Sequence, residues 1–378
     1  MGASLGSALD RIAEARSGSH DRAVDLLRLA AVGVVVVWHW VFSVTHRLGD
    51  VLVNPNPIDT VPGGWVLTWG FQVVPLFFLI GGYANLAAWD RVHGSARRFL
   101  RWRLRRVLGP ALVFVAVWAL VDVLLRLLRP DYPGIVYAAP ILITPLWFVL
   151  AYAWVLLLVP LTATAHRRYG VAVVVALGTV IVAADVARFW WGAAWAGAVN
   201  TALVWVFVHQ LGYLWRDQLR RPGWRGWLLA GAALVAMALA VGLGPYPRSM
   251  VAVPSGEFSP LFPTTAVVAG LAVFQLGAAS LLAVPLAGWL RRRRVWRGIV
   301  AGNAVAYTVF LWHMTALLVV FVAAERLGFR PPADPTPTWW LTRPLWLLAP
   351  AVALVPLVAA FAPLERRFAS PPPGTTDP

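Results

Sequence analysis

Residues 25–40 read DLLRLAAVGVVVVWHW. With the residues that follow, the run reaches the roughly 20 apolar positions that a helix needs to cross the hydrocarbon core of a bilayer. It carries two side chains that are costly to bury there, Arg28 and His39. Eleven positions make about three full turns at 3.6 residues per turn, so the two fall within roughly 20° on one helix face, about 16 Å apart along the axis. Asp25 precedes Arg28 by three positions, a spacing at which the carboxylate can pair with the guanidinium and orient it. Ionisable groups inside a membrane usually face a bundle interior or a watery cavity, so this helix face is read first as a functional site. The plainer reading has Arg28 snorkelling to headgroups and His39 bonding a neighbouring helix.

The rest of the chain supports the membrane reading. Its 378 residues are 60% hydrophobic and 13% charged, with a mean hydropathy of +0.71, too apolar for a soluble domain. Ten spans can be placed, near 24–45, 65–88, 108–128, 144–164, 170–187, 195–215, 226–244, 264–290, 299–323 and 341–362. The expected fold is therefore all-α, a polytopic integral membrane protein of about ten transmembrane helices. Every basic residue is arginine. If the N-terminus is cytoplasmic, the inside segments collect three quarters of the arginines but only half of the acids, so the whole net charge of +16 sits on one side. This positive-inside pattern puts both termini of a multi-pass protein in the cytoplasm. Runs such as RRFLRWRLRR (97–106) and RRRRVWRG (291–298) then serve as anchors to lipid headgroups, and nucleic acid is not needed as a partner.

Residues 1–23 read as a cytoplasmic N-terminal segment and 24–364 as the transmembrane domain; 365–378, ending in SPPPGTTDP, reads as a disordered cytoplasmic tail. The first helix follows a long polar segment and lacks a small-residue cleavage site, so it reads as an uncleaved span. The outer loops near 244–263 and 326–340 are rich in Pro, Gly and aromatic residues, which suits irregular structure over the outer face. Many of the tryptophans fall near span ends, as an aromatic belt would place them.

Several short motifs occur in a fixed order. Asp25-Leu26-Leu27-Arg28 is followed by His39; PLFFLIGGY occupies 75–83; FLRWRLRRVLGP occupies 99–110; PLWFVLAY occupies 145–152; and NAVAYTVFLWHM occupies 303–314. In this order the chain resembles the acyltransferase 3 family of multi-spanning membrane O-acyltransferases over most of its length. Three departures stand out: Gly81 where the family has serine, an added Gly109 before Pro110, and Phe310 where the family has a second tyrosine. The resemblance implies a multi-pass protein of a bacterial-type inner, or plasma, membrane and transfer of an acyl group, usually acetyl, from cytoplasmic acyl-CoA to a hydroxyl of an envelope glycan, a glycolipid or a secreted metabolite. It also implies Arg28 and His39 as catalytic residues and identifies Arg103 and Arg106 as the basic pair ahead of the third helix.

The residues fit that chemistry. Guanidinium binds phosphate in a bidentate, permanently charged way, as a phosphate-rich donor requires. Arg103 and Arg106, at i and i+3, share a face if their segment is helical. A histidine can take a proton from an attacking hydroxyl and return one to the departing thiolate, or can itself carry the acyl group. Asp25, His313, Trp147 and Tyr83 are expected in supporting roles, with Asn85 and Asn303 as further cavity residues and His209 either at the donor mouth or at the membrane interface. Asp122 and Arg126, at i and i+4, read as a structural ion pair. No metal is expected: H-E-x-x-H is missing and the seven histidines are scattered. No lysine-bearing phosphate loop occurs, because the chain has no lysine. The rival classes are a transporter or flippase of an envelope lipid or acylated metabolite, in which the same ionisable residues would bind substrate or relay protons, and a noncatalytic scaffold.

Overall fold

The protein is described here by a computed structural model that covers residues 22–129, 132, 134–219, 223–254, 258–329, 332 and 335–369. Most of the expected segments 1–23 and 365–378 lie outside these residues. The chain folds into helices α1 (Arg22–Val41), α2 (Trp65–Phe71), α3 (Val74–Arg91), α4 (Ala96–Leu128), α5 (Ala139–Leu142), α6 (Leu146–Tyr169) and α7 (Val171–Trp191). These are followed by α8 (Ala194–Gln218), α9 (Trp224–Leu243), α10 (Ala266–Leu290), α11 (Arg293–Asn303), α12 (Ala306–Arg326), α13 (Pro337–Leu341) and α14 (Arg343–Phe368). Among the described residues, one hairpin of β1 (His46–Leu48) and β2 (Val51–Val53), paired His46 to Val53, and two isolated bridges, Ser259 to Phe262 and Leu261 to Thr264, are the exceptions to an all-helical fold.

Among the described residues, nine helical spans are long and apolar enough to cross a membrane, with α2 and α3 together forming one of them. The tenth expected span is α8, 25 residues long. It is less apolar because it lies inside the bundle: Asn200, His209 and Gln210 are all buried on it, and each has a partner from another helix. Asn200 donates to Asp185 Oδ1 at 2.6 Å, and Gln210 donates to the Thr162 carbonyl at 2.9 Å. A helix enclosed by protein can carry such groups, because its neighbours supply the hydrogen bonds that lipid cannot. α3 and α8 touch through their backbones. A Cβ on Gly82 would strike the His209 carbonyl and one on Gly212 would strike the Leu79 carbonyl, so only glycine fits at either place.

Two faces are defined by ties between helix ends. On the arginine-rich face, Arg22 donates to the Leu290 carbonyl at 2.9 Å, and Arg167 bridges Asp90 and Asp217 while Arg216 also meets Asp90. On the opposite face, Arg47 forms a two-point pair with Glu325, and Asp185 accepts from Tyr246 Oη and the Ala266 amide at 2.9 and 2.7 Å. Outside the spans, the Arg47 guanidinium is held above its ordinary pKa, chiefly by its hydrogen bond to Glu325.

The expected boundaries shift in three places. α4 is 33 residues long and begins at Ala96, so the basic segment is helical and projects on the arginine-rich side. The expected ninth span, 299–323, is split: α11 is a separate amphipathic helix with Arg293 and Arg294 on its exposed side and Trp296, Ile299 and Val300 buried, and α12 starts afresh at Ala306. α14 continues to Phe368, past the boundary at 364, and brings Glu365 into the bundle.

Candidate active site

The arginine-rich side opens into a cavity of about 380 Å³ built from six of the long helices and α11. α1 contributes Asp25 and Arg28, α3 contributes Gly81, Tyr83 and Arg91, and α4 contributes Trp102, Arg103 and Arg106; α6 adds Tyr152, α11 Asn303, α12 Tyr307 and α14 Glu365. Arg28 Nη1 donates to Asp25 Oδ1 at 2.9 Å, the i, i+3 pair expected from the sequence. Asp25 is itself fixed, because Asn303 Nδ2 donates to its backbone carbonyl at 2.9 Å. Arg103 lies over the Trp102 ring at 5.5 Å and hydrogen-bonds Tyr152, while its Nε is buried without a partner. Four guanidinium groups thus face one cavity against two carboxylates. One of those is paired with Arg28, and the other, Glu365, accepts from the Thr308 hydroxyl. An unpaired buried N–H donor beside clustered guanidiniums suits a polyanionic ligand such as a phosphate chain.

A second cavity, about 460 Å³, opens toward the opposite face. His39, Trp38, Ser43, Asn54, Gln72 and Trp147 line it, together with the loop stretch from Val251 to Pro254. His39 Nδ1 is 2.8 Å from His313 Nε2, and the two rings are stacked with planes 10° apart. His313 Nδ1 is 2.6 Å from the Phe310 carbonyl oxygen. A carbonyl can only accept, so the neutral His313 ring carries its proton on Nδ1 and presents a lone pair at Nε2. His39 therefore donates from Nδ1, and Nε2 of the neutral ring is left as a free base on a residue that lines the cavity. Trp40 Nε1 donates to the His313 carbonyl at 3.1 Å and locks α1 against α12 at this level. The arrangement holds an imidazole in one tautomer with a second group behind it, the design by which a general base is oriented.

Arg28 and His39 thus lie on one helix as expected, but they face two cavities rather than one open conduit. Phe77, Phe148 and Phe310 line both cavities and stand between them. The divide is one layer of rings thick, with centroids 5.4 Å (Phe77–Phe148), 5.2 Å (Phe148–Phe310) and 6.4 Å (Phe77–Phe310) apart.

The other residues singled out in the sequence fall as follows. Arg103, Arg106, Tyr83 and Asn303 line the arginine-rich cavity, and Trp147 lines the other. His313 stands directly behind His39. Asn85 and His209 line neither cavity. They form a buried network in which Asn85 Nδ2 donates to His209 Nε2 at 2.9 Å and to Tyr152 Oη at 3.1 Å, so His209 is neither at a donor mouth nor at an interface. Asp122 and Arg126 pair at 2.9 Å, and Asp122 also accepts from the Ile135 amide, which pins the following loop.

The two glycines among the departures from the family motifs have a steric reason. A Cβ on Gly81 would lie 2.7 Å from Tyr152 Cε2 and 2.8 Å from its hydroxyl, so Tyr152 fills the space a serine would take. The Phe368 ring fills the space a Cβ on Gly109 would need. Phe310 supplies one ring of the divide. Sequence reading missed Arg91, Tyr152, Tyr307 and Glu365. Arg91 had a signal, because Ile80, Ala84, Ala87 and Arg91 repeat at helical spacing on the face that lines the cavity. Tyr152 and Tyr307 lay within the motif stretches 145–152 and 303–314 but were not singled out, and Glu365 had no signal, since helices distant in sequence bring all three there.

A bundle of long apolar helices, with a cationic cavity on one side and a stacked histidine pair on the other, is a multi-pass membrane protein. The acyltransferase domain family matches residues 21–363, nearly the whole chain, and the protein belongs to it. None of the curated proteins and none of the solved structures compared with the chain matches it.

Proposed function

We propose that the protein is an O-acyltransferase of the inner membrane that moves an acyl group, acetyl in the simplest case, from acyl-CoA to a hydroxyl of an envelope glycan, glycolipid or secreted metabolite. The observation that carries this reading is the pairing of a four-arginine cavity with the oriented base His39, one layer of side chains away on the other side of the bundle. With the arginine-rich face in the cytoplasm, as the positive-inside pattern favours, both termini are cytoplasmic. The arginine cavity then faces the compartment that holds acyl-CoA.

Arg28, Arg103 and Arg106 hold the donor phosphates, and Asp25 fixes the direction of Arg28. The thin pantetheine arm runs along α1 toward His39. Nε2 of His39 takes the proton of the acceptor hydroxyl; the hydroxyl oxygen bonds to the thioester carbonyl carbon, the C–S bond breaks, and the proton passes to the departing thiolate. His313 keeps His39 in the tautomer that leaves Nε2 free. The acceptor enters the outer cavity, where Trp38 and Trp147 offer faces for a sugar ring and Asn54 and Gln72 offer amides for its hydroxyls. Lipid headgroups meet the arginines at the helix ends.

The test is to incubate the purified protein in detergent with radiolabelled acetyl-CoA and an envelope extract. Release of CoA thiol in step with label on a hydroxyl-bearing product supports the reading, and label trapped on His39 would replace the general base by an acyl-imidazole. Binding or movement of a substrate with the thioester intact would instead establish a carrier.

A further inference from the structure

Phe77 on α3, Phe148 on α6 and Phe310 on α12 come from three helices that are remote in sequence, yet among the described residues they alone line both cavities. The rings meet at 62°, 64° and 58°, tilted to edge-on contacts that hold by dispersion and ring electrostatics and by no hydrogen bond. Each end of the site is tied to this layer. Phe148 stacks on Tyr152, the hydrogen-bond partner of Arg103, and the Phe310 carbonyl accepts the proton of His313. Apolar rings without fixed polar partners can part around a narrow, uncharged chain and close again, whereas water gains no hydrogen bond by crossing them.

We propose that Phe77, Phe148 and Phe310 form a sealing sleeve that admits the acyl-pantetheine arm from the arginine cavity while blocking water and small solutes from passing between the two cavities, so that the donor arm crosses the bundle without opening a leak. The proposal rests on the acyl-transfer reading. The two cavities open toward opposite faces, so without a seal between them the bundle would hold a continuous aqueous path from one face to the other.

The chain has no cysteine, so a single introduced thiol reports without background. Ser43 lines the outer cavity and is buried, and Ser43→Cys exchanges only its oxygen for sulfur. In sealed vesicles of known orientation, sulfonatoethyl methanethiosulfonate is supplied only from the arginine-rich side, with a quencher on the other. The thiol of Ser43→Cys is expected to stay unlabelled behind the intact sleeve and to label when Phe148→Ala is added. Labelling from the opposite side confirms that each variant is folded, and Phe77→Ala or Phe310→Leu replaces Phe148→Ala if that variant does not assemble. A Ser43→Cys thiol that labels through the intact sleeve, or that stays unlabelled from the arginine-rich side in every folded sleeve variant, overturns the proposal and leaves acyl transfer standing. If wild type consumes no thioester even with acceptor, acyl transfer itself fails, and the passage of a donor arm through the sleeve falls with it.

Discussion

Replacing His313 tests the proposed chemistry without touching His39, the residue proposed to meet the substrate. His313 is fully buried, accepts from His39 Nδ1 at 2.8 Å and donates to the Phe310 carbonyl at 2.6 Å. In His313→Leu, His39 loses the acceptor that fixes its tautomer, and Nδ1 and Nε2 compete for the proton. Removing a partner that orients a reactive imidazole costs about 10–100-fold in activity at a metal-bound histidine, which corresponds to about 1.4–2.7 kcal/mol in the barrier. The partner here is a neutral ring rather than a carboxylate, so the lower end of that range, about 10-fold, is expected for His313→Leu. His313→Gln keeps a carbonyl oxygen that can accept from Nδ1 and should recover part of the loss. The assay is the rate of CoA release at saturating donor and acceptor, with CoA affinity and detergent melting temperature measured alongside. A role in orientation lowers kcat while CoA affinity stays constant. Full kcat in a folded His313→Leu protein would refute it, as would equal loss in the leucine and glutamine variants.

Three further outcomes are expected. Arg28→Ala and Arg103→Ala should each weaken CoA binding by about 10–100-fold, the equivalent of one charge-assisted hydrogen bond of about 1.5–3 kcal/mol; titration calorimetry with CoA checks this, and unchanged affinity in both would remove the donor cavity from the mechanism. Gly81→Ser restores the family residue but presses on Tyr152, and an overpacking cost of about 1–3 kcal/mol should appear as a lower melting temperature, relieved by Tyr152→Leu; a Gly81→Ser protein as stable as wild type would show that Tyr152 yields freely. Gly82→Ala should fail to assemble or should melt far below wild type, because its Cβ meets backbone on α8 rather than a movable side chain; size-exclusion chromatography with thermal unfolding reads this, and a normal profile would contradict the backbone contact.

Much of the fold was legible because lipid imposes one simple requirement, an unbroken apolar helix of sufficient length. Nine spans met it among the described residues. α8 met it only loosely: its Asn200, His209 and Gln210 lower its hydropathy, and their partners on α3, α6 and α7 are invisible in local sequence. The split before Ala306 was hidden for a related reason, since the buried side of α11 is apolar enough to read as the start of a span. In the site, Asp25, Arg28 and His39 were legible because they lie on one helix, where spacing alone fixes geometry. Arg103 and Arg106 followed once their segment proved helical. The pairing of His39 with His313 spans 274 positions, and no periodicity connects them. The same holds for the phenylalanine layer: each ring reads as ordinary lipid-facing or core apolar residue until three helices converge.

The most direct measurement compares wild type and His39→Ala in the same detergent for two quantities, CoA affinity and the rate at which labelled acetyl-CoA loses its acyl group in the presence of an envelope extract. The expected result is equal affinity, because the arginine cavity is untouched, and loss of His39-dependent cleavage. Cleavage at the wild-type rate in a protein lacking the imidazole would contradict the assignment of the outer cavity as the place of reaction.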